Sequence, residues 1–261
     1  MKEYEFVKVR IDGHILSVTI NRPEVYNAVH PPLSIELNEI WDNFSEDKDL
    51  WVAVLTGEGE KAFSAGNDLK YSALPAEQKV QQPSSGFAGL TRRFNRTKPI
   101  IAAVNGFAMG GGMETALSCD IIIASENAKF ALPEVKVGFF AAAGGVQRLS
   151  RQIGKKAAVE IILTGRNVLA AEAFELGIVN EVVPHSSLME VAMEKAKVIA
   201  SNCPSSIRYS MESLNHMDQL ENYPDALNKS AEFIELLRQT EDHKEGVAAF
   251  VEKRKPNWKN Q

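Results

Sequence analysis

Three short apolar runs constrain the fold of this chain most strongly. They read WVAVLTG at 51–57, PIIAAVNG at 99–106 and CDIIIAS at 119–125, and each is bounded by turn residues. Runs of this length and composition are typical of strands that are buried on both faces, as in parallel sheets. Each is followed by a shorter extended piece, KAFSAG, GFAMGG or AKFALPE, and then by a helical or loop segment. This order predicts an α/β (α+β) chain built from a repeated strand, strand, helix unit.

The segments around these runs extend the prediction. EFVKVR and HILSVTIN alternate as the two strands of a hairpin, and a helix begins near Pro31 and Pro32 with Leu33, Leu37, Ile40, Trp41 and Phe44 at helical spacing. From about residue 143 the chain turns helical, through AGGVQRLSRQIG, KKAAVEIILTG and LAAEAFELG, with a strand at IVNEVV. Residues 72–89 are polar and interrupted by Pro75, Pro83 and Gly86, which predicts a mobile surface loop.

The last 75 or so residues are mostly amphipathic. Apolar stripes run along LMEVAMEKAKVIASN, PDALNKSAEFIELLRQ and HKEGVAAFVEKR, and such stripes could cover the core or a neighbouring subunit. No low-complexity linker marks independent domains.

Composition excludes several classes of function. The 261 residues are 44% hydrophobic and carry a net charge of −5, so there is no basic field to attract nucleic acid or an anionic membrane. Cys119 and Cys203 lack metal-ligand spacing, which fits reduced thiols and no metal site. The start of the chain alternates like a strand, and no apolar run approaches the ~18 residues of a membrane span. We therefore expect a soluble, cytoplasmic protein.

A run of three glycines is the first candidate for a functional site. In GFAMGGGMETALSCD, at 106–120, a helix that starts at the glycines would leave backbone N–H groups without intrahelical partners at the positive end of its dipole. Such an N–H could stabilise a carbonyl oxygen that gains negative charge. The run lacks the pattern of a phosphate loop or a dinucleotide turn. A tight packing turn would explain the glycines equally well.

A second turn and two acids lie beside this run. FSAGND, at 63–68, follows another predicted strand and could supply a second N–H, although its residues are also common in plain turns. Glu114 falls in the first turn of the glycine helix, where the dipole alone favours a carboxylate. Glu134 lies in apolar FALPEVKVG, where its ionisation would be perturbed unless it is an exposed loop acid.

Taken in order, these segments resemble the crotonase (enoyl-CoA hydratase/isomerase) superfamily over essentially the whole chain. The matching motifs are NRPEVYNAV, FSAGNDLK, KPIIAAVNGFAMGGGMETALSCD, FALPEVKVG, GGVQRL, LTG and FVEKRKPNWK. The resemblance implies a ClpP-like spiral of ββα units at 1–200 that holds an acyl-CoA site. It further implies a helical region at 201–261 for trimers or hexamers (dimers of trimers), which would also complete the CoA site. Acyl-CoA thioesters would be the substrates, with no separate cofactor, in fatty acid metabolism.

Individual roles follow from the same resemblance. The backbone N–H groups of Asn67 and Gly111 would form an oxyanion hole, Glu114 and Glu134 would act as general acid and base, and the N–H of Ala142 would hold the catalytic water. We assign Glu134 to the proton at Cα and Glu114 to the water. The residues expected to bind CoA or substrate are Ala28, Ala65, Gly66, Asp68, Leu69, Lys70, Phe250 and Lys253.

One departure bears on the substrate. Hydratases of this type commonly have GxxPGAGG after the second glutamate, whereas residues 138–145 here read GFFAAAGG, with Ala141 for the proline and Ala142 for a glycine. Together with Phe139 and Phe140, these changes predict an altered acyl pocket. The chain also resembles carnitinyl-CoA dehydratases in SAGNDLK, SSGFAGLTRRFN, FALPEVKVG and EGVAAFVEKRKPNWK. The alternatives are therefore a hydratase or dehydratase, another crotonase reaction (isomerase, hydrolase or hydratase-lyase), or a non-catalytic acyl-CoA or RNA-binding member.

Overall fold

A computed structural model of the protein describes residues 2–219 and 223–261. The strands are Val7–Asp12 (β1), Ile15–Ile20 (β2), Val52–Gly57 (β3), Ala62–Ser64 (β4), Ile100–Val104 (β5), Phe107–Met109 (β6), Ile121–Ser125 (β7), Lys129–Ala131 (β8), Val168–Leu169 (β9) and Glu181–Val183 (β10). The α-helices are Pro31–Glu46 (α1), Leu69–Ser72 (α2), Gly111–Leu117 (α3), Gly145–Ile153 (α4), Lys155–Thr164 (α5), Ala170–Glu175 (α6), Leu188–Ala200 (α7), Pro204–Gln219 (α8), Tyr223–Arg238 (α9) and Glu241–Glu252 (α10).

The strands form two sheets, and the repeated unit predicted from sequence is confirmed. The large sheet has the order β1-β2-β3-β5-β7-β10 and the small sheet the order β4-β6-β8-β9. In each repeat the first strand (β3, β5 or β7) joins the large sheet and the second (β4, β6 or β8) joins the small one. Strands β4, β6 and β8 are parallel neighbours. The turns that follow them therefore lie at the same edge of the small sheet.

The central strands of the large sheet are buried on both faces, as predicted. Ala53 and Leu55 of β3 pack into the main core with α1, whereas Val52 and Val54 face α7 on the other side. Full burial of an aliphatic side chain contributes about 1.5–3 kcal/mol. The two covered faces hold the large sheet as a rigid support for the turns of the small one.

The first long helix also matches its prediction. It begins at Pro31, after His30, whose ring accepts a hydrogen bond from the Leu33 N–H at 3.4 Å. Its buried residues include the expected apolar stripe of Leu33, Leu37, Ile40, Trp41 and Phe44.

One expectation needs correction. The predicted surface loop at 72–89 is exposed over most of its first part, but Gly86, Ala88 and Gly89 are buried. The indole N–H of Trp41 donates to the Ala88 carbonyl oxygen at 3.2 Å, which anchors this end of the segment in the core. Helix α8, of 16 residues, was not singled out by any residue pattern, but it lies in the helical region that the crotonase resemblance implies for 201–261.

The C-terminal helices follow α7 in order. The expected boundary between 1–200 and 201–261 falls in the connection between α7 and α8, and its meaning for assembly remains a prediction. Within the described ranges, no helix is both long enough and apolar enough to cross a membrane.

Candidate active site

The turns after β4 and β6 lie against each other. Gly66 has a φ of +86°, and a Cβ at this position would collide with the Met109 carbonyl oxygen and lie 3.0 Å from the Gly111 nitrogen. A left-handed backbone and this close approach both require glycine. The turn is braced by the Gly66 N–H, which donates to the Ser64 hydroxyl at 3.1 Å. FSAGND and the triple glycine, which are about 45 residues apart in the chain, thus form one site.

Two backbone amides at this junction have no acceptor in the part of the chain that the structure describes. In the described residues, neither the Asn67 N–H nor the Gly111 N–H donates a hydrogen bond within the chain. The neighbours of Asn67 are paired, because Val29 N–H donates to the Gly66 carbonyl at 2.7 Å and Asp68 N–H donates to the Val29 carbonyl at 2.9 Å. Gly111 is the first residue of α3, where an amide has no intrahelical partner. Both N–H groups are available to a substrate oxygen.

Glu114 is buried at the same junction. Its Oε1 accepts a hydrogen bond from the Gly145 N–H at 2.8 Å, and a Cβ at Gly145 would lie 3.1 Å from Glu114 Cγ and Oε1. Burial raises the pKa of this carboxyl to about 7, and the charge of Glu134 adds to the increase. A carboxyl with a pKa near neutrality suits general acid and base catalysis.

Glu134 reaches the site from the turn after β8. Its Oε1 would lie 2.9 Å from a Cβ at Gly110, and its Oε2 is buried without a hydrogen-bond partner in the described structure. Burial raises the pKa of this carboxyl as well. An unpaired buried carboxyl oxygen is costly, and it marks a functional group more often than a structural one. The alternative interpretation of Glu134 from its sequence, an exposed loop acid, is excluded by the half-burial of its side chain.

The raised pKa of Glu114 predicts how stability depends on pH. The folded protein holds this proton up to about pH 7, whereas a carboxyl with the ordinary value of 4.5 loses it earlier. The free energy of unfolding should therefore fall as pH rises from about 4.5 to 7. A shift of this size corresponds to roughly 3 kcal/mol. Glu114→Gln keeps an acceptor for Gly145 and removes the titration, so we expect it to gain stability over the wild type at pH 8 but not at pH 4.

Urea unfolding of both proteins at pH 4, 6 and 8 measures this effect. Glu134 shifts in the same direction and is present in both proteins, so the difference between the curves reports mainly Glu114. A constant difference across the three pH values would contradict the prediction.

Comparison with known proteins places this geometry in a family. A family model described as enoyl-CoA hydratase/isomerase matches residues 10–261. A mevalonyl-coenzyme A hydratase of Aspergillus fumigatus is 43% identical over 94% of this chain and 92% of its own length. A carnitinyl-CoA dehydratase of Escherichia coli O157:H7 is 42% identical over 95% of this chain and 96% of its own.

The chain belongs to the enoyl-CoA hydratase/isomerase family, the crotonase superfamily. Solved structures agree. An enoyl-CoA hydratase of Mycobacterium tuberculosis superposes with a TM-score of 0.92 at 35% identity, covering 98% of this chain and 99% of that one. One from Bacillus anthracis has a TM-score of 0.91 at 36% identity, covering 98% and 100%. The crotonase fold expected from the sequence is thereby confirmed.

Other residues that the crotonase resemblance singled out lie beside the amide pair. Ala28 is buried, and Ala65 is exposed with its N–H donating to the Tyr26 carbonyl at 2.9 Å. Leu69 and Lys70 are exposed on α2. Their roles in binding CoA remain predictions.

Asp68 has a structural role that the motif did not reveal. Its carboxylate forms an ion pair with Arg22 at 3.0 Å and accepts a hydrogen bond from the Tyr71 N–H at 3.1 Å, which caps α2. The ion pair and the cap lower its pKa against the opposing effect of burial. Asp68 therefore holds the Asn67 turn in place, and a direct contact with substrate is not required to explain it.

Phe250 and Lys253 lie in the C-terminal region. Phe250 is on α10 and is 87% exposed, and Lys253 ends that helix in a left-handed conformation with a φ of +55°. Helix α10 packs against α8 and α9 of its own chain. A part in the CoA site of a neighbouring subunit remains a prediction for both residues.

The segment 138–145 forms the wall on the Glu114 side. Ala141, which replaces the usual proline, is buried, and Ala142 is exposed. The Ala142 N–H donates no hydrogen bond within the described residues, so it is available for a water molecule. Arg148 holds this segment, because its guanidinium donates to the Ala143 carbonyl at 3.2 Å and to the Thr91 carbonyl at 2.7 Å. Phe139 and Phe140 are 70% and 63% exposed.

Phe87 is a candidate site residue that the sequence analysis missed. A Cβ at Gly111 would lie 2.6 Å from Cε1 and Cζ of its ring, so the ring covers the residue that carries one free amide. The Phe87 N–H donates to the Thr91 hydroxyl at 3.0 Å, which fixes the turn. Phe87 was not predicted because it lies in a mostly polar segment, although the apolar residues of GFAGL indicate burial.

This contact predicts an interaction between two substitutions. The φ of Gly111 is not positive, so the main obstacle to Gly111→Ala is the Phe87 ring. We expect Gly111→Ala to lower kcat/KM by displacing that ring and the amide, and Phe87→Leu to restore part of the loss in the double variant. Residues in direct contact typically show coupling energies of about 0.5–3 kcal/mol. Steady-state kinetics of the four proteins measures the coupling, and additive effects would contradict it.

Proposed function

We propose that the protein is an acyl-CoA hydratase or dehydratase, a hydro-lyase that reversibly adds water across the 2,3 double bond of an enoyl-CoA thioester. The observation that carries the proposal is the convergence of two unpaired amides, at Asn67 and Gly111, with two buried carboxyls, at Glu114 and Glu134. The names of the relatives, which are hydratases and dehydratases of CoA thioesters, support it.

The amides supply the electrophilic half of the reaction. The thioester oxygen accepts hydrogen bonds from the N–H groups of Asn67 and Gly111, which draws electrons from the conjugated double bond and makes Cβ electrophilic. When water attacks Cβ, the electron pair of the double bond moves towards Cα and the oxygen, and the same donors stabilise the enolate. Loss of one such donor typically costs ~10²–10³ in rate.

The carboxyls supply and remove protons. Glu114, held by Gly145, accepts a proton from a water that also bonds the Ala142 N–H, while the water oxygen forms its bond to Cβ. Glu134 delivers a proton to Cα, which completes the product. Burial raises the pKa of both carboxyls, to about 7 for Glu114, and two such close carboxyls titrate as a unit. Dehydration is the same sequence reversed.

The residues around the carboxyls also bear on which acyl group the protein accepts. The Phe87 ring lies against Gly111, Ala141 replaces the usual proline, and Phe139 and Phe140 are exposed beside it in the chain. We propose that these residues favour an acyl group other than a simple short chain. The 42% identity to a carnitinyl-CoA dehydratase makes carnitinyl-CoA one candidate substrate, and the 43% identity to a mevalonyl-coenzyme A hydratase makes mevalonyl-CoA another.

A panel of thioesters tests both the proposed reaction and the proposed acyl preference. Crotonyl-CoA, carnitinyl-CoA and mevalonyl-CoA are incubated with the protein, and gain or loss of one water is followed by mass and by the absorbance of the conjugated thioester. Thiol trapping in the same reactions detects free CoA. Release of CoA, or a shifted double bond without a change of mass, would replace the proposal with the hydrolase or isomerase alternative.

Assembly and location complete the proposal. We propose a homotrimer or a hexamer of two trimers, because Val247, Phe250 and Val251 of α10 expose apolar side chains that a neighbouring chain would cover. Light scattering on the purified protein measures the mass. A cytoplasmic location, a role in fatty acid metabolism and the absence of a cofactor other than substrate CoA are part of the same proposal.

A further inference from the structure

A second cavity lies at the amino-terminal edge of the large sheet. Its volume is about 240 Å³, and its walls come from the end of α1, the residues before β3 and β5, and the first turn of α8. The polar and aromatic residues that matter for its chemistry are Lys48, Trp51, Thr97, Lys98, Arg208 and Asn260. The amides and carboxyls of the candidate active site do not line it.

Positive charge dominates this cavity. Lys48, Lys98 and Arg208 all line it, and none of the three forms an ion pair with a carboxylate in the described structure. The acidic residue on its lining is Glu46, which is exposed. Within the described residues, the lining therefore contains three basic residues and one acidic residue, and the Asp47 carboxylate also acts on Lys98.

Lys98 is fixed in position. Its ammonium donates to the carbonyl oxygens of Phe44 at 2.7 Å and Asp47 at 2.5 Å, so it caps the end of α1. Burial lowers the pKa of Lys98 to about 8; the Asp47 carboxylate opposes this decrease, and the charge of Arg208 adds to it. An ammonium has three donors, and one remains for a ligand. Capping explains Lys98 but not the second cation placed close to it.

The backbone around the cavity adds to the positive field. Helix α8 begins at Pro204 on the cavity wall, so the positive end of its dipole faces this region. The Lys48 carbonyl oxygen, which would repel an anion, is occupied by the Trp51 indole N–H at 2.9 Å and the Asn260 amide at 3.0 Å. The groups left for a ligand are therefore mainly donors.

We propose that this cavity binds a small oxyanion of the phosphate type, with Arg208 and Lys98 as its charged ligands and Lys48 at its mouth. Arginine presents several N–H groups in a planar fork that matches phosphate oxygens. A volume of about 240 Å³ holds a phosphate with a few waters but is below the size of most drug-sized ligand sites. The site is separate from the proposed hydratase chemistry.

Binding is tested on the full-length protein by titration calorimetry and thermal unfolding. Inorganic phosphate is added at constant ionic strength, with NaCl replacing it in the reference. At phosphate about 100-fold above Kd, ligand linkage predicts an increase in Tm of roughly 5 °C for a domain of this size. We expect Arg208→Met to weaken phosphate binding by at least about tenfold, the loss typical of one charged hydrogen-bonding partner. Arg10→Met, which removes an exposed arginine of β1, should bind as the wild type does.

Two further experiments test whether the ligand is free phosphate or a phosphate ester, and whether Lys98 contacts it. Glycerol 3-phosphate distinguishes a phosphate ester from free phosphate by its relative Kd. Sulfate does not titrate near pH 8, so proton uptake on its binding at that pH reports the rise in the Lys98 pKa. We expect Lys98→Met to lose this uptake, and the Tm of the variant without ligand shows whether it is folded.

Two results would overturn the proposal. The first is a change of Tm in phosphate no greater than in NaCl of the same ionic strength. The second is equal phosphate affinity in the wild type and Arg208→Met. Hydration of a thioester, which depends on other residues, is measured separately and would not be affected by either result.

Discussion

Glu134→Gln is expected to lower kcat for hydration by about 10²–10⁴, the range that a general acid or base contributes. The amide of Gln fills the same space beside Gly110 but cannot exchange a proton with Cα. KM should change little, because the groups proposed to bind the thioester oxygen are the backbone amides of Asn67 and Gly111, which this substitution leaves in place. The absorbance of the conjugated thioester, followed at saturating substrate, measures the loss.

The matched control is Glu126→Gln, which neutralises an exposed acid after β7 and should retain wild-type kcat. Exchange of the Cα hydrogen with solvent deuterium separates the two glutamates. Glu134→Gln should lose exchange together with hydration, whereas Glu114→Gln, which removes the group proposed to activate water, should lose hydration more than exchange. Wild-type kcat in Glu134→Gln would contradict the assignment.

Gly66→Ala adds a single methyl group, yet we expect it to lower both kcat and stability more than any other change of that size in the site. Its left-handed φ of +86° disfavours a side chain by about 1–2 kcal/mol, and the new methyl would collide with the Met109 carbonyl oxygen. The collision pushes the Asn67 turn away from Gly111, so the two amides no longer meet at one oxygen. We expect a decrease in kcat of about 10²–10³, as for loss of one donor, together with a lower Tm.

Gly177→Ala is the control that separates backbone strain from the collision between the two turns. Gly177 has a similar φ of +78°, but a Cβ there meets no atom within 4 Å. It should lose stability of the same order through backbone strain while kcat is retained. If both variants lost the same fraction of kcat, general destabilisation would explain the result, and the proposed contact between the turns would not be needed.

Most elements of the fold could be predicted from patterns in neighbouring residues. The apolar runs that became β3, β5 and β7, the stripe on α1 and the glycine start of α3 were all readable because burial on two faces, helical periodicity and left-handed turns leave marks on neighbouring residues. No residue pattern singled out helix α8, because PSSIRYSMESLNHMDQ is polar on average, and helices in proteins draw most of their stability from tertiary packing rather than from local preference. The buried end of the 72–89 segment was missed because its burial depends on Trp41, a distant residue.

The sequence predicted most residues of the candidate site, but not the contacts between them. Glycine at 66 and 111 and acids at 114 and 134 are visible in the sequence, and family motifs suggest their roles. Only the folded chain brings the Asn67 and Gly111 amides together and sets Phe87 against Gly111, with no partner for either amide or for Glu134 Oε2 among the residues that the structure describes. These properties arise from contacts between segments far apart in the chain, and burial there shifts pKa values that residue type alone does not determine.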